Sequence, residues 1–262
     1  MEFAPHHDSI FFHAHDVQRA ARDHAVDCFP AESVGFVIDG KYQPQENKAA
    51  EPKTSFEADF TEGIEAVIHS HTQRLPTKWE SQQIAPSADD MRSQQATAVP
   101  WGIHYCDGND CGPMEWFGDQ RPFVAPYLKR SFLSGVRDCW ALIRDIFRIE
   151  QGVVLEDLPR DHNWCELAET QDEWNLLKLE TIEAAGFVQV DPAELQAGDV
   201  MISQVASRVP NHCGIFLKSG LALHHMIGRY SAREAIGEWR PYIKFFVRHQ
   251  SLVDGAEWKC QL

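Results

Sequence analysis

The sequence predicts an α+β protein of two domains, on three observations. The chain has 262 residues, and at roughly 150 residues per domain that is room for one or two independent cores. Residues 119–126, DQRPFVAP, carry two prolines and no periodic pattern, the composition of a linker rather than of an element. Beyond them the hydrophobic period restarts, with helical spacing first and short strands after. The domains are therefore placed at 1–122 and 123–262.

Each element follows from its own signal. Val17, Ala20, Ala21, His24, Ala25 and Cys28 recur at helical spacing, with Asp16 as N-cap and Pro30 just past the end. Residues 33–38 read as a buried strand, and Asp39-Gly40 as a hairpin turn. Residues 43–55 are polar and read as loop, 64–71 as a second strand, and 72–86 as a long connection. A helix over 87–95 and a strand over 99–105, turned by Asp107-Gly108, complete the first domain. In the second, 138–151 is helical, with Trp140, Ile143, Ile146 and Phe147 on one stripe and Gly152 as its stop. A second helix spans 173–185. Strands follow at 187–190, 200–205, 213–217, 222–227 and 243–247.

Charge and cysteine content bound the function. Residues 1–125 hold 9 basic and 20 acidic side chains, and residues 126–262 hold 15 and 19. An acidic field of this kind repels phosphate backbones, which excludes sequence-independent nucleic-acid binding. Seven cysteines, an odd count in a chain of this length, are read as free thiols rather than as a disulfide framework. The opening MEFAPHHDSIFF lacks the features of a secretory signal, and no run of about 18 apolar residues occurs. The expectation is synthesis in a cytoplasm, without membrane insertion.

His69 and His71 end an apolar strand, where period-two geometry turns residues i and i+2 to one face, so both imidazoles can reach one metal. Catalytic zinc takes three protein ligands and keeps a fourth position for water, and Asp89 and Asp90 offer the missing carboxylate. Glu32 can take a proton from a metal-activated water. A His-x-His pair alone fits exposed strand-end histidines equally well. The ordered set Glu32-Ser33-Val34-Gly35-Phe36, Val67-Ile68-His69-Ser70-His71 and Ser87-x-x-Asp90 resembles the JAMM motif of the JAB/MPN metallopeptidases. That resemblance implies a mixed sheet with helices, one zinc held by His69, His71 and Asp90, Glu32 as general base and Ser87 as a donor to the oxyanion. The fifteen residues between His71 and Ser87 are about twice the usual spacing of that family, and a JAB-like fold without metal remains the alternative. His104, Cys106 and Cys111 lie close in HYCDGNDC, where a hairpin with two free thiols is favoured over a second metal site.

Asp138-Cys139-Trp140 opens the first helix of the second domain. A helix N-terminus lowers a thiol's pKa, so Cys139 is a candidate nucleophile, and His212, leading into a strand, is its candidate base. His224, twelve residues on, can orient that imidazole through its other nitrogen. The bland reading is a small buried cysteine. Asp138-Cys139-Trp140-Ala141-Leu142, Gly198-Asp199-Val200 and His212-Cys213-Gly214-Ile215 together resemble the NlpC/P60 cysteine peptidases. This implies a papain-like α+β domain, with Cys139 as nucleophile, His212 as base, His224 as the third residue and Tyr127 near the oxyanion. Cys213 is read as core, and His225, on the opposite strand face from His224, as surface or second shell.

The two domains in this order resemble the tail tip assembly proteins of lambda-like siphophages, as do Gly135-Val136, Pro210-Asn211-His212, His224-His225, the run Arg229-Tyr230-Ser231-Ala232-Arg233-Glu234 and Trp239. The resemblance implies synthesis in a host cytoplasm, a place in the virion tail tip, other tail tip proteins as partners, and the peptides of bacterial peptidoglycan as substrate, cut beside the γ-linked D-glutamyl residue. The alternative is an assembly factor whose peptidase domains are silent or process a tail protein. Isopeptidase action on ubiquitin-like tags rests on the first domain alone, and the second argues against it.

Overall fold

In a computed structural model that describes residues 15–75, 84–121 and 124–260, the chain divides into two units between Val124 and Ala125. The boundary expected between residues 122 and 123, the opening segment and much of the 72–86 connection lie outside the described residues.

In the first unit, Asp39 and Gly40 both take positive φ, 49° and 67°, the backbone of a type I′ turn. They join β1 (Val34–Ile38) to β2 (Lys41–Gln45). The stretch expected to be loop from residue 43 is therefore strand as far as Gln45. Pro44 is accommodated because β2 is an edge strand in the order β2-β1-β3-β4-β5. β3 (Ala66–His71) pairs antiparallel with β1 and parallel with β4 (Trp101–Tyr105). The crossover between those parallel strands carries α2 (Ala88–Thr97), and β5 (Glu115–Phe117), not foreseen in the sequence, closes the other edge. Helix α1 (His15–Cys28) begins before Asp16, so that residue lies in its first turn. Its buried Val17 and Ala21 pack on Val37, Ala66, Ile68 and Trp116. Period two then puts His69 and His71 on the sheet's other face.

The second unit is built around α3 (Cys139–Ile146), which continues as a π-helical turn over Phe147–Gln151 and stops at Gly152, φ 71°. All eight residues of α3 are buried. Trp140, Ile143, Ile146 and Phe147 join one core with Val200, Ile202, Ile215, Leu223 and Val247 of the sheet. Where one helix was expected over 173–185, the chain forms a 3-10 turn, Asp172–Trp174, and then only α5 (Leu179–Ala184). Leu177 between them is buried in the main core, so tertiary burial overrides the continuous period. The short α4 (Trp164–Ala168) was not foreseen. Six strands, β6 (Phe187–Val190), β7 (Val200–Ser203), β8 (His212–Phe216), β9 (Leu221–His224), β10 (Ala232–Ala235) and β11 (Ile243–His249), form a sheet in the order β10-β9-β8-β7-β11-β6. β10, an unforeseen edge strand, is followed by α6 (Ile236–Trp239), and β11 by α7 (Gln250–Val253).

Candidate functional site

The structure brings together most of the side chains singled out in the first unit. β1 and β3 pair with Val34 opposite His69, and Ser70 N–H donates to the Ser33 carbonyl at 3.0 Å. That register sets Glu32 across from His71. Asp90 arrives from α2, where Ser87 is the N-cap of a capping box: Asp90 N–H donates to Ser87 Oγ at 3.0 Å, and Ser87 N–H and Oγ–H both donate to Asp90 Oδ2 at 2.8 Å. The hydroxyl of Ser87 thus bonds the Asp90 carboxylate. The other face of that carboxyl group meets the histidines, with His69 Nε2 3.4 Å from Oδ1 and His71 Nε2 3.4 Å from Oδ2.

One donor atom from each of His69, His71 and Asp90 lies within 4.8 Å of the others, the group among the described residues with metal-ligand composition. His69 is fully buried, and neither of its ring nitrogens has a hydrogen bond. Orphaned imidazole nitrogens are costly unless a proton donor or a cation satisfies them. Burial raises the Glu32 carboxyl, opposed by the two neighbouring histidines. Burial also opposes ionisation of Asp90, but His69 and His71 hold its carboxyl well below the usual range. Phe56 and Trp101 stand 4.9 and 5.6 Å from the His69 ring, an aromatic wall on a polar centre. His104 is buried and Cys106 pairs with Cys111 across an antiparallel bridge, both thiols free.

In the second unit Cys139 is the first residue of α3 and His212 the first of β8. Asp138 caps the helix, its Oδ1 accepting from Ala141 N–H at 2.9 Å and its Oδ2 from Gly135 N–H at 2.8 Å. Gly135 takes φ 76°, the left-handed turn that aims this N–H. Arg160 closes on the same carboxylate with two bonds, 2.7 and 2.9 Å, both side chains almost wholly buried. Sequence reasoning missed Arg160, which lies in a stretch with no period. Its charge matters because a bare Asp138 opposes a thiolate on the next residue.

The Cys139 thiol is lowered to about 5, first by a hydrogen bond from Cys213 and then by His212, against burial. Cys213 is core, as read from the sequence, but it also touches the nucleophile. His212 Nε2 lies 3.2 Å from His224 Nδ1, which leaves Nδ1 of His212 to face the thiol. Gly214 sits opposite His224 in the β8–β9 register, and a Cβ there would come within 2.8 Å of the His224 Cβ. Only glycine permits this approach. Trp239 packs against both imidazoles, with ring centroids 5.0 Å from His212 and 4.4 Å from His224.

Cys139 and His212 line a cleft whose walls include Phe132, Trp164, Leu176, Met226 and Ile227. Tyr127 is not among its lining residues. Its hydroxyl donates to Glu150 at 3.0 Å, and burial followed by that carboxylate raises it. His225, expected either at the surface or in support of the catalytic residues, is fully buried beside the cleft, with Phe132 against its ring at 5.0 Å. Strand β9 ends at His224, so alternation no longer governs the next side chain.

The chain is similar to known proteins. Residues 115–246 match the NlpC/P60 family. The chain is 29% identical to tail tip assembly protein K of Escherichia phage N15 over 242 residues, 87% of this chain and 92% of that protein. It is 30% identical to tail tip assembly protein K of Escherichia phage lambda over 202 residues, 76% of this chain and 89% of that one. Among solved structures, a lipoprotein-like protein of the NLP/P60 family from Staphylococcus aureus subsp. aureus Mu50 aligns at 16% identity and a TM-score of 0.32, covering 47% of this chain and 37% of that one.

Proposed function

Because the chain belongs to the NlpC/P60 family, we propose that its second unit is a cysteine peptidase that cuts the stem peptides of bacterial peptidoglycan, acting at a phage tail tip. The observation that carries the reading is the line of contacts from Cys139 through His212 to His224, on a thiol brought far below its ordinary pKa. The Cys139 thiolate attacks the scissile carbonyl while the first-turn N–H groups and dipole of α3 favour the developing negative charge. His212, as imidazolium, gives its proton to the leaving amine. It then takes a proton from the water that hydrolyses the thioester. Tail context is supported by the two phage relatives, which are named for tail tip assembly, and those names also favour a second reading, a structural part in assembling the tip.

The first unit is proposed as a zinc hydrolase centre of JAMM type. His69, His71 and Asp90 would hold the ion, and the unsatisfied nitrogens of His69 fit that role. Zinc supplies Lewis acidity there when bound. Glu32, raised by burial, is suited to take and return a proton. No membrane role is proposed, and no described helix is long and apolar enough to cross one.

Cys139→Ala tests the main reading. It removes one sulfur at a helix start, so stability should change by only about 1 to 2 kcal/mol, while release of stem peptides from purified peptidoglycan should be lost. A variant that digests peptidoglycan at the wild-type rate contradicts the proposal.

A further inference from the structure

The contacts at His224 continue beyond the histidine. Its Nε2 lies 3.1 Å from Oε2 of Glu234, a residue 28% exposed on β10. The approach is bent, and no linear hydrogen bond satisfies that nitrogen. Catalytic hydrogen bonds in unliganded sites are commonly of this kind. The placement is set by the sheet: Ala232 stands opposite His224 and Glu234 opposite Ala222, so period two turns Glu234 to the face that carries both catalytic imidazoles. Trp239 Nε1–H donates to the same Oε2 at 3.0 Å. One indole therefore fixes the carboxylate while its ring packs on His212 and His224.

We propose that Glu234 is a positioning residue that sets the direction of every proton along the line Cys139, His212, His224, Glu234. The inference rests on the peptidase reading of Cys139. A carboxylate only accepts, so the nitrogen of His224 facing it must carry a proton. Burial, then the neighbouring His212, pushes His224 down to about 4, so the ring is neutral and holds one proton. That proton sits on Nε2. Nδ1 then presents a lone pair, and the hydrogen bond at 3.2 Å is donated by His212 Nε2–H. His212 is left with Nδ1 as the position that exchanges a proton with the thiol. The relay needs no proton to reach Glu234. Its negative charge, reaching His212 through a neutral ring, favours imidazolium there and hence thiolate at Cys139.

The charged and titratable groups facing Glu234 are His224 and, behind it, His212 from the neighbouring strands, and Arg229 at 3.8 Å from Oε1. Arg229 lies on the loop before β10 with a side chain 70% exposed, where solvent screens it. The sequence sets Glu234 in the run that resembles the tail tip assembly proteins but gives it no chemical role. Its role appears only when β10 is paired.

The experiment uses the full chain, wild type and Glu234→Gln, which keeps an acceptor for the Trp239 indole but no charge. Iodoacetamide labelling of Cys139 is followed by mass spectrometry from about pH 4 to about pH 9. Removing the charge disfavours imidazolium, so thiolate forms later: the acid limb should move up by about one pH unit, with a roughly tenfold loss of kcat/KM for stem-peptide release. An unchanged limb and unchanged kcat/KM overturn the proposal. Nitrogen-15 shifts of His224 in the wild-type protein give a second measurement that no folding defect can confuse. A proton on Nε2 is expected, and one on Nδ1 overturns the assignment. The two readings fail separately, because labelling needs no substrate. If the limb moves while neither protein releases stem peptides, the substrate assignment is wrong and the relay stands.

Discussion

Arg160 shows how one side chain acts on the chemistry through its neighbour Asp138. It lies with Asp138 in an interior where neither charge is hydrated, and it pairs with both carboxylate oxygens. Arg160→Met should leave that carboxylate buried and uncompensated, costing about 3 to 5 kcal/mol in denaturant unfolding, and should raise the thiol of Cys139 by exposing it to an unshielded negative charge. A loss below about 1 kcal/mol, typical of a surface pair, would contradict the account. Residues like this were not legible. Cys139, His212, His224, His69 and His71 stand out as candidates because they sit at a strand end or a helix start, and Asp90 through the JAMM resemblance, whereas Arg160 and Glu234 depend on partners 22 and 10 residues away in a folded arrangement. Tyr127 shows the converse: the NlpC/P60 resemblance implied a place near the oxyanion, whereas its hydroxyl donates to Glu150.

At the scale of elements, helix starts and strand register do most of the positioning. Cys139 begins α3 and Asp90 lies in the first turn of α2, and both helices are capped by side chains that also serve the site. Ser87→Ala removes the cap of α2, worth about 1 kcal/mol, together with the hold on Asp90. Zinc affinity should fall by roughly 10- to 100-fold, as when an outer partner of a ligand is lost. A competition titration with a chromophoric chelator reads the change, and equal affinity would show that Asp90 needs no such support. The long segment after His71 does not prevent Ser87 and Asp90 from returning to the histidines, so unusual spacing was a poor guide to geometry. Short edge strands were missed for a physical reason. β5 has three residues and β10 reads Ala-Arg-Glu-Ala, neither long nor apolar enough to carry a period-two signal.

At the scale of the whole molecule, two units each own a core and a candidate centre. The chemistries proposed for them need opposite things, a metal in one and a thiolate in the other. Removing divalent metal with a chelator should therefore leave stem-peptide release unchanged within about twofold, because Cys139, His212 and His224 include no residue of the His69, His71 and Asp90 group. Loss of release on chelation would move the hydrolysis to the first unit. The α+β class and the order of helix before strands were readable because hydrophobic period is a local property, while the 3-10 turn that interrupts the expected helix over 173–185 answers to the core beneath it. The central claim is covalent catalysis at one sulfur, and the most direct test is to catch the acyl group there. Wild-type protein mixed with a soluble stem peptide and quenched in acid within milliseconds should carry an added acyl mass on the peptide containing Cys139, removable by hydroxylamine. Turnover with no such adduct, or with the added mass on another residue, would contradict the account.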